Sequence, residues 1–97
     1  MVEIETTEQY VKWLNKLRDE YAKEVINSRI AKLRIDEHFG KYKSVGHSVF
    51  ELKIYYGPGY RVYFTKKGKR LILLLCGGDK SSQEHDIKKA HKMTKEI

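Results

Sequence analysis

Only one cysteine, Cys76, occurs in these 97 residues. That excludes an internal disulfide and a cysteine-based zinc site, and makes a reducing compartment, the cytoplasm, the expectation. Proline is equally scarce: Pro58 stands alone, so no proline-rich linker divides the chain. Long apolar runs are missing as well. The longest is Leu71 to Cys76, far short of the ~20 residues of a membrane-spanning helix. Residues Met1 to Glu5 are acidic and lack an apolar h-region, so no signal peptide is expected. Repeats and low-complexity tracts are absent, and one domain over residues 1–97 is the expected organisation. None of the four histidines makes His-x3-His or Glu-x2-His spacing with a third ligand, so neither a metal ion nor a cofactor is expected.

What is abundant is positive charge. Lys plus Arg is 20 against 13 Asp plus Glu, for a net charge of +7. The excess is uneven. Residues 1–37 carry 7 basic and 8 acidic side chains; residues 38–97 carry 13 and 5. A basic half beside a neutral half suits a polyanion, most simply a nucleic acid. Lysines that only keep a small protein soluble are the plainer reading.

Hydrophobic periodicity gives the elements. Val2 and Ile4 alternate with Glu3 and Glu5, a short strand. Thr6 with Gln9 reads as a capping box for a helix carrying Tyr10, Trp13, Leu14 and Leu17. Asp19 caps a second helix with Ala22, Val25, Ile26, Ile30 and Leu33 on one stripe, ending near His38 to Gly40. Residues 40–46 read as a basic loop. The period then becomes two. Phe50, Leu52 and Ile54 face one way, Glu51, Lys53 and Tyr55 the other; after Gly57-Pro58-Gly59, Val62 and Phe64 face inward, Arg61 and Tyr63 outward. Leu71 to Cys76 is a central strand covered on both faces. Gly77-Gly78 ends it, and Ser81 with Glu84 reads as a capping box for a last helix. The order βααβββα predicts an α+β fold, with helices packed on a mainly antiparallel four-stranded sheet.

This pattern puts Lys53, Arg61 and Tyr63 together on a second, solvated sheet face. Adjacent cations repel, and a phosphate would relieve them, with Arg able to grip it bidentately. Lys80, in the Gly77-to-Ser82 turn, could reach the same phosphate from a helix N-terminus. A solvated strand face and an ordinary strand-to-helix turn are the alternatives. Lys41, Lys43, Lys66 and Lys67, with Tyr55 and Tyr63 as stacking platforms, complete an expected nucleic-acid surface. Glu51 is a candidate general base or a salt-bridge partner of Lys53. His85, in the first turn of the last helix, is a candidate proton carrier.

The segments Phe50-Glu51-Leu52-Lys53-Ile54, Tyr56-Gly57-Pro58-Gly59-Tyr60-Arg61-Val62-Tyr63-Phe64 and Leu74-Leu75-Cys76-Gly77-Gly78-Asp79-Lys80-Ser81-Ser82-Gln83 resemble the addiction-module killer proteins (HigB/RelE-like) of the RelE/ParE toxin superfamily. The likeness extends to Trp13-Leu14 and Arg29-Ile30. It implies a toxin neutralised by a small antitoxin, usually of the helix-turn-helix type. Many RelE-like members cut messenger RNA on the ribosome, whereas ParE-like members inhibit DNA gyrase. Lys53, Arg61 and Lys80 match the basic positions of the RelE-like nucleases. His85 is a loose match to the tyrosine or histidine of the last helix, and Glu51 stands where some relatives have a second lysine. The resemblance therefore implies a metal-independent endoribonuclease that uses the 2′-hydroxyl of its substrate. A gyrase inhibitor, or a basic nucleic-acid-binding module without toxicity, is the alternative.

Overall fold

The structure is a computed structural model that describes residues 2–35 and 41–97. The elements run β1 (Glu3–Thr6), α1 (Glu8–Lys16), α2 (Glu20–Ile35), β2 (Tyr42–Gly46), β3 (Val49–Lys53), β4 (Arg61–Lys67), β5 (Leu71–Gly78), a 3-10 turn (Lys80–Ser82) and α3 (Gln83–Glu96). The strands form one sheet in the order β1-β5-β4-β3-β2. Only β1 pairs in parallel, with β5; the other three pairings are antiparallel. The α+β class expected from the sequence is therefore observed, with one correction: the sheet has five strands, not four.

The additional strand is β2, in the segment whose composition reads as a basic loop. Its two apolar residues, Tyr42 and Val45, sit on opposite faces and leave no alternation to detect. Pairing with β3 holds it, and the Tyr42 ring packs edge-on against Phe50 and Phe64 at 5.5 and 5.1 Å. The expected end of α2 at residues 38–40 lies outside the described residues.

The helix starts follow local chemistry. Thr7, one residue later than expected, caps α1 by accepting from the Tyr10 amide. Asp19 caps α2 as expected, accepting from the amides of Tyr21 and Ala22. Ser81 and Glu84 form no capping box. Asp79 caps the 3-10 turn instead, and Ser82 makes no side-chain cap bond to α3.

Two apolar layers enclose the sheet. α1 and α2 cover one face, where Tyr10, Ile26, Leu33, Leu52, Ile54, Val62, Phe64, Ile72 and Leu74 are buried. α3 covers the other, packing its Ala90 over Val49, Tyr63, Leu73, Leu75 and Cys76. Each fully buried aliphatic side chain contributes about 1.5–3 kcal/mol. A bulge skips Leu75 between the Tyr63–Cys76 and Phe64–Leu74 pairs, so Leu75 and Cys76 both belong to the α3 side. The expectation that β5 is covered on both faces holds. The expectation that Arg61 and Tyr63 face solvent does not: α3 covers Tyr63, and Arg61 is buried as well.

Gly77 and Gly78 are needed for close approach. Neither has a positive φ. The Trp13 ring lies directly on Gly77, and the Asp86 carboxylate directly on Gly78; a Cβ at either position would overlap these groups. Gly77→Ala is expected to lower stability by about 1–3 kcal/mol, the usual penalty of overpacking a core. Chemical denaturation followed by Trp13 fluorescence, the chain's one tryptophan, checks this.

Candidate functional site

The β3–β4 pairing places Lys53 opposite Arg61, and β4–β5 places Arg61 opposite Gly78. The next cross-strand row on the same face is Lys43, Glu51, Tyr63 and Cys76. α3 lies over the second row and its preceding turn borders the first. Lys80 joins there: its amide donates to the Pro58 carbonyl. A Cβ built on Gly59 would lie 3.0 Å from Arg61 Nη1 and 3.6 Å from Lys80 Cβ. Lys53 and Arg61 are thus cross-strand neighbours, and Arg61 and Lys80 both border the Gly57-Pro58-Gly59 turn.

Their electrostatics differ from the expectation. Arg61 is only 4% exposed and Glu51 only 2%. Arg61 Nε lies 3.9 Å from Glu51 Oε2, an internal ion pair, while Nη1 donates to the Gly59 carbonyl at 2.6 Å. Arg61 Nε itself has no hydrogen-bond partner. Glu51 also accepts from the Tyr63 hydroxyl at 3.1 Å and from the Gln83 amide at 2.9 Å, and Lys43 Nζ approaches it at 3.8 Å. Burial, then the neighbouring Glu51 charge, pushes the Tyr63 hydroxyl far above its ordinary pKa. Folding thus has its own reason to place Arg61 here. The corner's three cations face the carboxylates of Glu51 and Asp79, with Asp86 beside Gly78, and these offset much of its local charge. Asp79 is held below its ordinary pKa, first by the Ser81 hydroxyl and also by the Arg61 charge.

Four expectations are corrected by this geometry. Tyr63 is fully buried and cannot stack on a base. Glu51 pairs with Arg61 and Lys43 rather than Lys53; it is buried, and its Oε2 is taken by Tyr63 and Gln83, which argues against a general base. The turn after β5 is not an open anion cradle, because the Asp79 carboxylate takes the Ser81 amide and hydroxyl. The expected nucleic-acid surface also divides. Lys66 and Lys67 lie at the far end of β4, about 17 and about 20 Å from Arg61 at ~3.3 Å per residue. Lys66 donates to the Tyr42 hydroxyl and lies over the Tyr42 and Phe50 rings.

Solvent-accessible groups remain. Lys80 and His85 are exposed and Lys53 is half-exposed. Tyr55 is 71% exposed, with Lys53 Nζ 5.0 Å from its ring centroid. Lys41 is exposed and immediately precedes the Tyr42–Leu52 pair, beside Lys53. Among the described residues, Lys41, Lys53 and Lys80 have no carboxylate partner. The sequence reading missed Gln83 as the link from α3 to Glu51; no local signal marks it. It also missed Asp79 as a cap, although Asp with a serine two residues on, as in Asp79-Lys80-Ser81, is a recognisable turn signal. Among the described residues, no group of three or more His, Cys, Asp or Glu side chains could hold a metal ion, and no helix is long and apolar enough to cross a membrane.

The layered arrangement is that of the RelE toxins. The isolated Escherichia coli RelE toxin matches with a TM-score of 0.68 at 14% identity, covering 91% of this chain and 98% of that one. A chain of the intact E. coli RelBE toxin–antitoxin complex matches with a TM-score of 0.66 at 13% identity, covering 81% and 96%. The sequence family is more specific. The model of the phage-derived, Gp49-like proteins matches residues 12–96, and the chain belongs to that family. An uncharacterised protein of Haemophilus influenzae (strain Rd) is 46% identical over 96 residues, which cover 99% of this chain and 96% of its own.

The buried pair makes a stability prediction. Arg61→Ala leaves the Glu51 carboxylate buried without its main counter-charge, and is expected to cost about 3–5 kcal/mol. Lys53→Ala and Lys80→Ala, at accessible positions, should stay within about 0.5 kcal/mol of the parent. Urea titration of the three variants distinguishes these outcomes. The Asp79 cap adds a pH dependence. Its depressed pKa contributes stability that is complete above the ordinary value of 3.8 and is lost as pH falls through the folded-state value. Asp79→Asn should flatten that acid limb.

Proposed function

We propose that this protein is the toxin of a toxin–antitoxin module and that it cleaves messenger RNA on the ribosome in the cytoplasm. The fold shared with RelE and with a chain of the RelBE complex supports the toxin reading. One observation supports action on RNA: two accessible lysines without carboxylate partners, Lys53 and Lys80, flank a fixed guanidinium at a single turn. A cognate antitoxin, of the helix-turn-helix type by the sequence resemblance, restrains the toxin by covering this corner.

In this reading Lys80 and Lys53 hold the non-bridging oxygens of the scissile phosphate. The adjacent 2′-hydroxyl attacks phosphorus in line as it loses its proton. The 5′-oxygen leaves and takes up a proton, and a 2′,3′-cyclic phosphate remains. Such a step draws on the substrate's own nucleophile and needs no metal ion. Lysine ammonium groups stabilise the charge that builds on phosphoryl oxygens. His85 is the available proton carrier near the turn, since Glu51 is sealed off. Arg61 acts as a positioning residue, holding the Gly59 carbonyl and thus the shape of the turn.

A second reading, inhibition of DNA gyrase without chemistry, is favoured by the neutralisation of Arg61 by Glu51. One experiment separates the two. Ribosomes translating a defined message are treated with the parent protein or Lys80→Ala, and the RNA ends are mapped; purified gyrase is assayed for supercoiling alongside. The proposal expects breaks within the translated region, with Lys80→Ala about 10²-fold slower or worse. Intact message with blocked supercoiling establishes the second reading. Cleavage by Lys80→Ala at the parent rate overturns the assigned site.

A further inference from the structure

Beside the corner lies a cavity that the reaction above does not use. It has a volume of about 270 Å³ and is lined by Arg29 and Lys32 of α2, by Lys41 and by Tyr55. Arg29 and Lys32 are three residues apart and so share one helix face. All of the described lining residues are cations except a tyrosine, and no carboxylate is among them. Among the described residues, none of the three cations has an ion-pair partner. Like charges gathered without counter-charges cost folding free energy, whereas a bound polyanion would relieve them. The cavity also adjoins Lys53, whose ammonium group lies over the Tyr55 ring.

We propose that this cavity is a nucleotide subsite for single-stranded RNA, and that the strand continues into it from the Lys53–Lys80 corner. It rests on the RNA reading above and extends it to a substrate-binding path across the end of the sheet. Arg29, Lys32 and Lys41 grip phosphate. Tyr55, 71% exposed, offers its ring to an unpaired base. The volume lies just below the range typical of small-ligand sites, ~300–1,000 Å³, and matches one nucleotide rather than a duplex. Stacking on a tyrosine also requires a base that is free of its partner strand.

The test uses a fluorescent single-stranded oligoribonucleotide whose riboses are 2′-O-methylated, so that it binds without being cleaved. Anisotropy titrations across a salt series compare the parent with Arg29→Gln/Lys32→Gln, Tyr55→Ala, Tyr55→Phe and Lys95→Gln. Lys95 is exposed at the far end of α3 and controls for net charge. The double variant is expected to bind at least about 10-fold more weakly, with a salt slope reduced by roughly 0.7 per lost phosphate contact. Tyr55→Ala should lose about 5- to 100-fold, and Tyr55→Phe should bind as the parent does. Lys95→Gln should leave affinity and slope unchanged. Parent-like binding by the double variant overturns the subsite while leaving the corner standing, and so does an equal loss in Lys95→Gln. Parent-like binding by Tyr55→Ala overturns base stacking there. A parent protein that binds no RNA in any salt, while blocking gyrase, overturns both the subsite and the RNA reading beneath it.

Discussion

The ion pair between Glu51 and Arg61 is the constraint on which the second face of the sheet depends. A carboxylate this deeply buried must be matched by donors or it opposes folding. Its partners come from three elements: Tyr63 and Arg61 on β4, Lys43 on β2 and Gln83 at the start of α3. At 3.9 Å and an effective dielectric near 20, the attraction of the pair is about 4 kcal/mol. Desolvating the two ions costs several kcal/mol each. The pair by itself is therefore no net source of stability. Its consequence is geometric: the placement of α3 that brings Gln83 to Glu51 also sets Asp86 on Gly78. The polar network fixes a docking that the small apolar patch of Leu73, Leu75, Cys76 and Ala90 would leave less defined.

That network explains what could and could not be read from the sequence. Alternation located β3 and β4 because Phe50, Leu52, Ile54, Val62 and Phe64 are apolar where the α1–α2 layer covers them. The same rule called Glu51, Arg61 and Tyr63 wet, because it sees polarity and not mutual satisfaction. Their partner Gln83 lies on another element, so no local pattern reveals that they are dry. β2 stayed hidden because an edge strand with one apolar residue on each face has no period. Gly77-Gly78 was legible as a strand end but not as a packing requirement, since the groups that need the space, Trp13 and Asp86, arrive from helices on opposite faces. The resemblance to RelE-like toxins, carried by whole segments, survived these local errors at the level of fold. It pointed to Lys53, Arg61 and Lys80, though not to the carboxylate that encloses Arg61.

The charges accordingly divide into two populations. Arg61 and, in part, Lys43 are consumed by Glu51. Lys80, Lys53 and Lys41, with Arg29 and Lys32 beyond them, have no carboxylate partner among the described residues and follow one end of the sheet round to α2. At physiological salt, charges separated by more than ~8 Å are largely screened from each other. A polyanion therefore senses this succession as neighbouring local sites rather than as the overall charge of +7. A flexible chain of phosphates can follow such sites in order, whereas a compact anion can occupy only one of them.

This division bears on how Arg61 could serve a phosphate at all. Its Nη1 is held by the Gly59 carbonyl, and its Nε, 3.9 Å from Glu51, makes no hydrogen bond. A phosphate entering at the turn would compete with Glu51 and Asp79 for a cation already offset by both. It would meet no such competition at Lys53 or Lys80, whose long side chains can follow the moving oxygens. The lysines are therefore suited to binding charge that develops during a reaction, and the arginine to holding the turn against which they act. Rigidity beneath and mobility above come from the same fact: one cation of the three is enclosed with a carboxylate and two are not.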